Sequence, residues 1–244
     1  MLYGCDTQLI EAIERARTHS PFLKLQLASR SEIAEALASG SIAQALEMAR
    51  AAGMEVPETG TALRRGRGAL ALALAIGDLA GALTLEQVVE ELSDFADRAL
   101  EKALAAAIAA RTPDAESRGF AVMALAKLGS RELNYSSDVD LLFLFDRASV
   151  PLKPREEPGQ GAIGIGQRMV DMLETRDGEG YVFRVDLRLR PSPEVTPIAL
   201  PVDAAIGYYE SSALPWERAA FIRARCVAGG QAPGRDFLGA IHPL

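Results

Sequence analysis

The stretch DVDLLFLF at 138–145 constrains this chain most. Its last five residues, Leu141 to Phe145, are all apolar, and a short run of this kind predicts a strand. Side chains at i and i+2 of a strand share a face. Asp138 and Asp140 therefore project together from the entry of an apolar strand. Two carboxylates held that close repel each other, and one pKa is driven up. A divalent cation removes the repulsion. Hard oxygen ligands suit Mg²⁺, which takes one or two carboxylates together with substrate phosphates. A bare Asp-x-Asp is short and common, and its plainer reading is a strand entry with two solvated aspartates. Two neighbouring segments weigh against that reading.

The first is KLGSRELNYSSD, which places Gly129-Ser130 after 119–128, expected as a buried strand with its alanines leaving a helix open, and eight residues before Asp138. Glycine permits close backbone approach to a phosphate, and serine adds a hydroxyl donor. The second is YVFRVDLRLR, 181–190, which alternates strictly and predicts a strand. One face carries Phe183, Val185, Leu187 and Leu189; the other carries Arg184, Asp186, Arg188 and Arg190. Three arginines around one aspartate concentrate positive charge in an acidic chain, and a guanidinium fork suits phosphate oxygens. Asp186 is then a third carboxylate ligand for metal. Divalent ions held by carboxylates suit phosphoryl or nucleotidyl transfer by in-line displacement.

The rest of the chain frames that site. Before residue 110 apolar positions recur at helical spacing, as in Leu9, Ile10 and Ile13, then Ile33 and Leu37, then Ile42, Ala45, Leu46 and Ala49. Ser41 is an expected N-cap and Gly53 an expected stop, and Thr84 with Gln87 forms a capping box before a long helix. The apolar segment Ala69 to Leu83 is short for a membrane span and reads as a buried helix. The polar RTPDAESR at 111–118 is the expected domain boundary, giving a helical region 1–112 and a second domain 113–244. Beyond the strand at 138–145, a loop covers 147–160, a helix 161–175 and the turn DGEG 177–180. Two further helices are expected near 202–213 and 215–228.

Charge and composition exclude several classes. With 26 Lys+Arg against 33 Asp+Glu the net charge is −7, which does not suit a nucleic-acid backbone binder. Two cysteines, Cys5 and Cys226, and two histidines, His19 and His242, lie too far apart in sequence for a zinc site and read as unpaired thiols and isolated imidazoles of a reducing compartment. No signal peptide or membrane span is read, so the chain is expected in the cytoplasm. The tail IHPL carries no recognisable stop and is expected to be a truncation.

The run GFAVMALAKLGSRELNYSSDVDLLFLFD, with YVFRVDLRLRPSPEVTP and the downstream IGYYESSALPWERAAFIRARCVAG, resembles the glutamine synthetase adenylyltransferase family of bacterial nitrogen control. The likeness spans about 119–229. It implies an α+β fold: a helical N-terminal region, a nucleotidyltransferase-fold domain with a small mixed sheet and flanking helices, then more helices. Family members carry two such domains. One removes AMP from a tyrosine of glutamine synthetase by phosphorolysis, giving ADP, and the other transfers AMP from ATP. FRVDLRLRP resembles the N-terminal, adenylyl-removing version.

By that likeness Asp138, Asp140 and Asp186 are the catalytic metal ligands and Gly129 and Ser130 the phosphate-side turn, with Arg184, Arg188 and Arg190 beside the nucleotide. Mg²⁺ and a nucleotide, ADP or ATP, are the implied ligands, and glutamine synthetase and the PII signal protein the implied partners. The family often has Gly-Lys-Leu-Gly-Gly where this chain has Ala126 and Ser130, and little effect of Ala126 is expected. Lys127, Arg223 and Arg225 read as surface residues, Trp216 as helix packing, Glu217 and Arg218 as its neighbours, and Tyr208 and Tyr209 as core or pocket wall. Two other readings stay open: the same fold run forward with ATP, and a non-catalytic module that senses nucleotide or PII.

Overall fold

Local capping chemistry sets the ends of the first helices, in a computed structural model that describes residues 3–241. These helices are α1 (Tyr3–His19), α2 (Pro21–Ser29), α3 (Ser31–Ala38), α4 (Ile42–Ala51), α5 (Thr59–Leu79) and α6 (Leu85–Ala109). Ser20 caps α2 by accepting the Leu23 N–H at 3.2 Å, with Pro21 in the first turn, where a missing N–H costs least. Glu58 caps α5 by accepting from Gly60 and Thr61. The capping box before α6 closes both ways: the Thr84 N–H donates to Gln87 Oε1 at 2.8 Å, and the Gln87 N–H to Thr84 Oγ1 at 3.3 Å. Ser41 is the N-cap of α4 but makes no side-chain bond there. Gly53 follows α4 at φ +86°. The side chain of Cys5 and residues 242–244, His242 among them, lie outside the described residues.

Ten elements follow: β1 (Phe120–Ala124), α7 (Ala126–Gly129), β2 (Val139–Phe145), α8 (Pro158–Glu174), β3 (Val185–Asp186), β4 (Ala199–Pro201), α9 (Val202–Ser211), α10 (Pro215–Ala219), β5 (Arg225–Gly229) and α11 (Gln231–Ile241). The sheet order is β3-β2-β1-β5, with β4 also pairing β2. β1 runs antiparallel to β2 and to β5; β3 and β4 both run parallel to β2. The architecture is therefore α+β with a small mixed sheet.

Every residue of β1 is buried, and every residue of β2 except Asp140. That is why both read as apolar runs. On one face Ala121, Met123, Leu142 and Leu144 pack with Ala205, Tyr209, Phe221 and Phe237. On the other Phe120 meets Phe143 at 5.7 Å between ring centroids. Gly166 of α8 faces Phe143 there, and an added Cβ would stand 3.0 Å from the ring.

Packing divides the chain into two compact units. One holds the residues up to Leu92 together with Arg176–Val182; the other holds Ser93–Thr175 and the residues from Phe183 on. The division falls inside α6. In the first unit α5 is buried almost all round through Leu70, Leu72, Leu74 and Ile76, in keeping with its apolar sequence. Among the described residues no helix is long and apolar enough to cross a membrane. In the second unit Ser93, fully buried, accepts the Leu133 N–H at 3.2 Å. Ser93→Ala leaves that amide without this partner and should cost about 1–3 kcal/mol, read as a lower urea midpoint at unchanged m-value.

Several expectations are corrected. Only the first part of 119–128 is strand; Ala126–Gly129 turns into a short helix. The alternating 181–190 is strand only at Val185–Asp186. From Phe143 onward the same edge of β2 is taken by β4, so the β3 register could not run on to Leu189. The helix expected at 215–228 is a five-residue helix followed by β5, because Arg225–Gly229 completes the free edge of β1. Trp216 does not pack: it is 58% exposed. Tyr209 is core, its hydroxyl donating to the Leu189 carbonyl at 3.1 Å.

Candidate active site

The parallel pairing of β2 with β3 sets Val139 beside Val185 and Asp140 beside Asp186. Asp138 immediately precedes β2. The three carboxylates are thus gathered where β2 and β3 begin. Burial pushes the Asp140 carboxyl up, the negative charges of Asp186 and Asp138 push it further, and Arg188 and Lys127 oppose the shift. Such crowding is the electrostatic signature expected of a site that takes a cation.

The arginines stand against the other two carboxylates. Arg184 donates from Nε to Asp138 Oδ1 and from Nη2 to the Ser136 carbonyl at 2.8 Å. Arg188 holds Asp186 with Nε at 3.0 Å from both oxygens and with its backbone N–H at 2.8 Å. Hydrogen bonds from the Arg188 side chain hold the Asp186 carboxyl below its ordinary value, against a smaller opposing effect of burial.

The Gly129-Ser130 turn is tied to the same strand. The Leu125 N–H, at the start of the turn, donates to the Asp140 carbonyl at 2.9 Å. A Cβ on Gly129 would stand 2.6 Å from the Arg223 carbonyl oxygen and 3.0 Å from that of Ala124, so only glycine fits this close backbone approach. Ser130 Oγ donates to the Ala126 carbonyl at 3.2 Å. Ala126 itself has φ +47°, in the left-handed region where glycine is at ease. The glycine-to-alanine difference at this position therefore falls on a backbone conformation that favours glycine.

The fold thus brings together Asp138, Asp140, Asp186, Arg184 and Arg188, and ties Leu125, ahead of the Gly129-Ser130 turn, to the Asp140 backbone. It places Arg190 elsewhere: its guanidinium donates to the carbonyls of Leu187 at 2.8 Å, Pro193 at 2.7 Å and Thr196 at 3.3 Å, closing the loop after β3.

Glu174 escaped the sequence reading, and Lys127 and Arg225 were read there only as surface residues. Lys127 acts on Asp140 through its charge. Glu174, at the end of α8, accepts the Val185 N–H at 2.8 Å. Arg225 lies on a strand rather than a helix face. It grips Asp97 with two nitrogens at 2.7 and 2.9 Å and donates to the Leu128 carbonyl at 2.9 Å, bracing α7. An Arg-Cys pair on an edge strand carries no local signal of this.

Among the described residues no three His, Cys, Asp or Glu side chains are set to hold a metal ion. Asp138 and Asp186 are each turned to an arginine. The donor set still suits a hard cation: all-oxygen, carboxylate, and crowded enough to disfavour the charged form of Asp140.

Residues 9–240 match the family model described as glutamate-ammonia ligase adenylyltransferase. Among curated proteins, the chain is 45% identical over 207 residues to the bifunctional glutamine synthetase adenylyltransferase/adenylyl-removing enzyme of Xanthobacter autotrophicus, covering 80% of this chain and 21% of that protein. The namesake from Rhizobium meliloti is 37% identical over 266 residues, 100% of this chain and 27% of its own. That from Caulobacter vibrioides is 42% identical over 193 residues, 75% and 20%. The chain therefore spans about a fifth to a quarter of the length of these relatives. With the family model covering nearly all of its residues, the chain belongs to the glutamate-ammonia ligase adenylyltransferase family.

Proposed function

We propose that residues 113–244 form a nucleotidyltransferase domain that removes AMP from an adenylylated tyrosine of glutamine synthetase, with inorganic phosphate as the acceptor and ADP as the product. The observation that carries this reading is the gathering of Asp138, Asp140 and Asp186 at one end of the β2–β3 pair. The relatives are named for both transfer and removal. The likeness of FRVDLRLRP to the N-terminal of the family's two domains favours removal.

The reaction is a phosphoryl-centre displacement. A phosphate oxygen bonds to the adenylyl phosphorus, the bond from phosphorus to the tyrosine oxygen breaks, and the phenolate takes a proton. Asp138, Asp140 and Asp186 would hold Mg²⁺, which neutralises charge on the phosphate oxygens when bound. Arg184 and Arg188 balance two of those carboxylates, and their forks suit phosphate oxygens equally. Ser130 Oγ and the backbone of the turn bound the phosphate side. The protein's own part is positioning and charge compensation. PII is the regulator proposed from the family likeness, and the cytoplasm the proposed setting.

Direction is the test. With adenylylated glutamine synthetase, inorganic phosphate and Mg²⁺, the chain should release ADP. If α-labelled ATP instead places label on unmodified glutamine synthetase and no ADP is released from the modified form, the removal reading is wrong.

A further inference from the structure

Three cations act at the three carboxylates, and two of them are already engaged. Arg184 is bonded to Asp138 and to the Ser136 carbonyl, and Arg188 to Asp186. The third is Lys127, whose charge acts on Asp140, the one residue of β2 that is not buried. Lys127 is exposed and, among the described residues, its ammonium makes no hydrogen bond or ion pair. An exposed lysine is ordinarily no more than a solvated charge. What sets this one apart is how firmly its backbone is seated.

The β1–β2 ladder pairs Ala124 with Leu141, and one step on the Leu125 N–H donates to the Asp140 carbonyl at 2.9 Å. Lys127 follows two residues later, at most about 7 Å of chain. The helix that carries it has only four residues, too few to hold itself. Its neighbours hold it instead. Arg225 donates to the Leu128 carbonyl at 2.9 Å and is gripped by Asp97 at 2.7 and 2.9 Å. Gly129 is pressed against the backbone of Arg223 and Ala124. Beyond the helix the Glu132 N–H donates back to the Lys127 carbonyl at 2.8 Å, and the Leu133 N–H donates to Ser93. Every residue of this frame belongs to the second compact unit. Positive charge fixed in advance is worth most where negative charge gathers during the reaction. A lysine serves a phosphate there as a point charge.

We propose that Lys127 is a catalytic residue whose ammonium binds a phosphate group of the reactants at the Asp138, Asp140 and Asp186 centre. The proposal rests on the removal reading above. In that reaction two phosphates are present: the acceptor, which becomes the β-phosphate of ADP, and the adenylyl phosphate, which becomes its α-phosphate.

The test titrates the intact chain and its Lys127→Met and Lys127→Arg variants with ADP and with AMP by calorimetry, with Mg²⁺ present. The KM for inorganic phosphate in ADP release is measured alongside. Lys24→Met, in exposed α2 sequence of the first unit, controls for the loss of one positive charge. Lys127→Met should weaken ADP binding about 10- to 100-fold, the range for one lost charge-assisted hydrogen bond. Lys127→Arg and Lys24→Met should stay within about threefold of the parent. Loss for ADP with AMP unchanged, and a raised KM for phosphate, puts the ammonium on the acceptor. Equal loss for both nucleotides puts it on the adenylyl phosphate. Because the side chain is exposed, the variants should melt with the parent. ADP binding by Lys127→Met within about threefold of the parent overturns the proposal and leaves the removal reading standing. Equal loss in Lys127→Arg and Lys127→Met also overturns it, since α7 and not the charge has then been disturbed. No ADP binding by the parent chain overturns the removal reading, and the proposal with it.

Discussion

Asp140→Asn lowers the rate of ADP release by about 1000-fold or more, on the reading that its carboxylate is one of three that organise charge at the phosphoryl centre. A group that holds a catalytic cation contributes several kcal/mol at the transition state, and each ~1.4 kcal/mol is tenfold in rate. Asn keeps the size and the backbone pairing of β2 and removes only the charge. It also removes one of three mutually repelling carboxylates, so the metal-free variant should melt no lower than the parent. Initial rates at saturating phosphate and a thermal melt without metal check both halves. Turnover within about tenfold of the parent would remove Asp140 from the reaction centre. A large fall in melting temperature would mean that the lost activity reports misfolding.

The largest expected loss of stability comes from a residue far from the chemistry. Gly229 ends β5 at φ +80°, and a Cβ there would stand 2.1 Å from the Phe120 carbonyl oxygen and 2.8 Å from a Leu104 methyl. Backbone cannot yield as a side chain end does. The neighbouring Gly230 N–H already donates to that same carbonyl at 2.8 Å. Gly229→Ala must therefore break the β1–β5 register, at a cost above about 4 kcal/mol, the range reserved for such specific clashes. Gly207 of α9 is the control: nothing lies within 4 Å of an added Cβ. Alanine there should stabilise by up to about 1 kcal/mol through helix propensity. Urea midpoints of the two variants should move in opposite directions; equal shifts would contradict the steric account.

The carboxylate pair was legible because Asp138 and Asp140 interrupt the entry of an otherwise apolar strand, a conflict that local folding alone does not require. The capping box at Thr84 and the buried helix through Leu70 to Ile76 were legible for a like reason, since both are set by residues within a few turns. The misreadings share a different cause. Whether β3 can run on to Leu189 depends on β4 holding the β2 edge from Phe143 onward, which no alternation within 181–190 can reveal. Whether Arg225 sits on a helix or a strand depends on the free edge of β1, a hundred residues earlier. Lys127 comes under the charge of Asp140 because Leu125, two residues before it, is bonded to the Asp140 carbonyl. Sequence periodicity reports which faces are covered and is silent on which distant edge does the covering.

The excursion of Arg176–Val182 into the helical unit also bears on how the protein comes into being. A chain made from its N-terminus exposes α1 to α5 early, and helices with near neighbours in sequence form fast. Yet Arg30, Arg64 and Arg65 gain Asp177 and Glu179 only after more than a hundred further residues have been added, and β5 reaches β1 later still. Until then three guanidiniums wait without these carboxylates, and the inner edge of the sheet stands open. The helical unit therefore cannot complete these ion pairs until the chain has been made as far as Glu179.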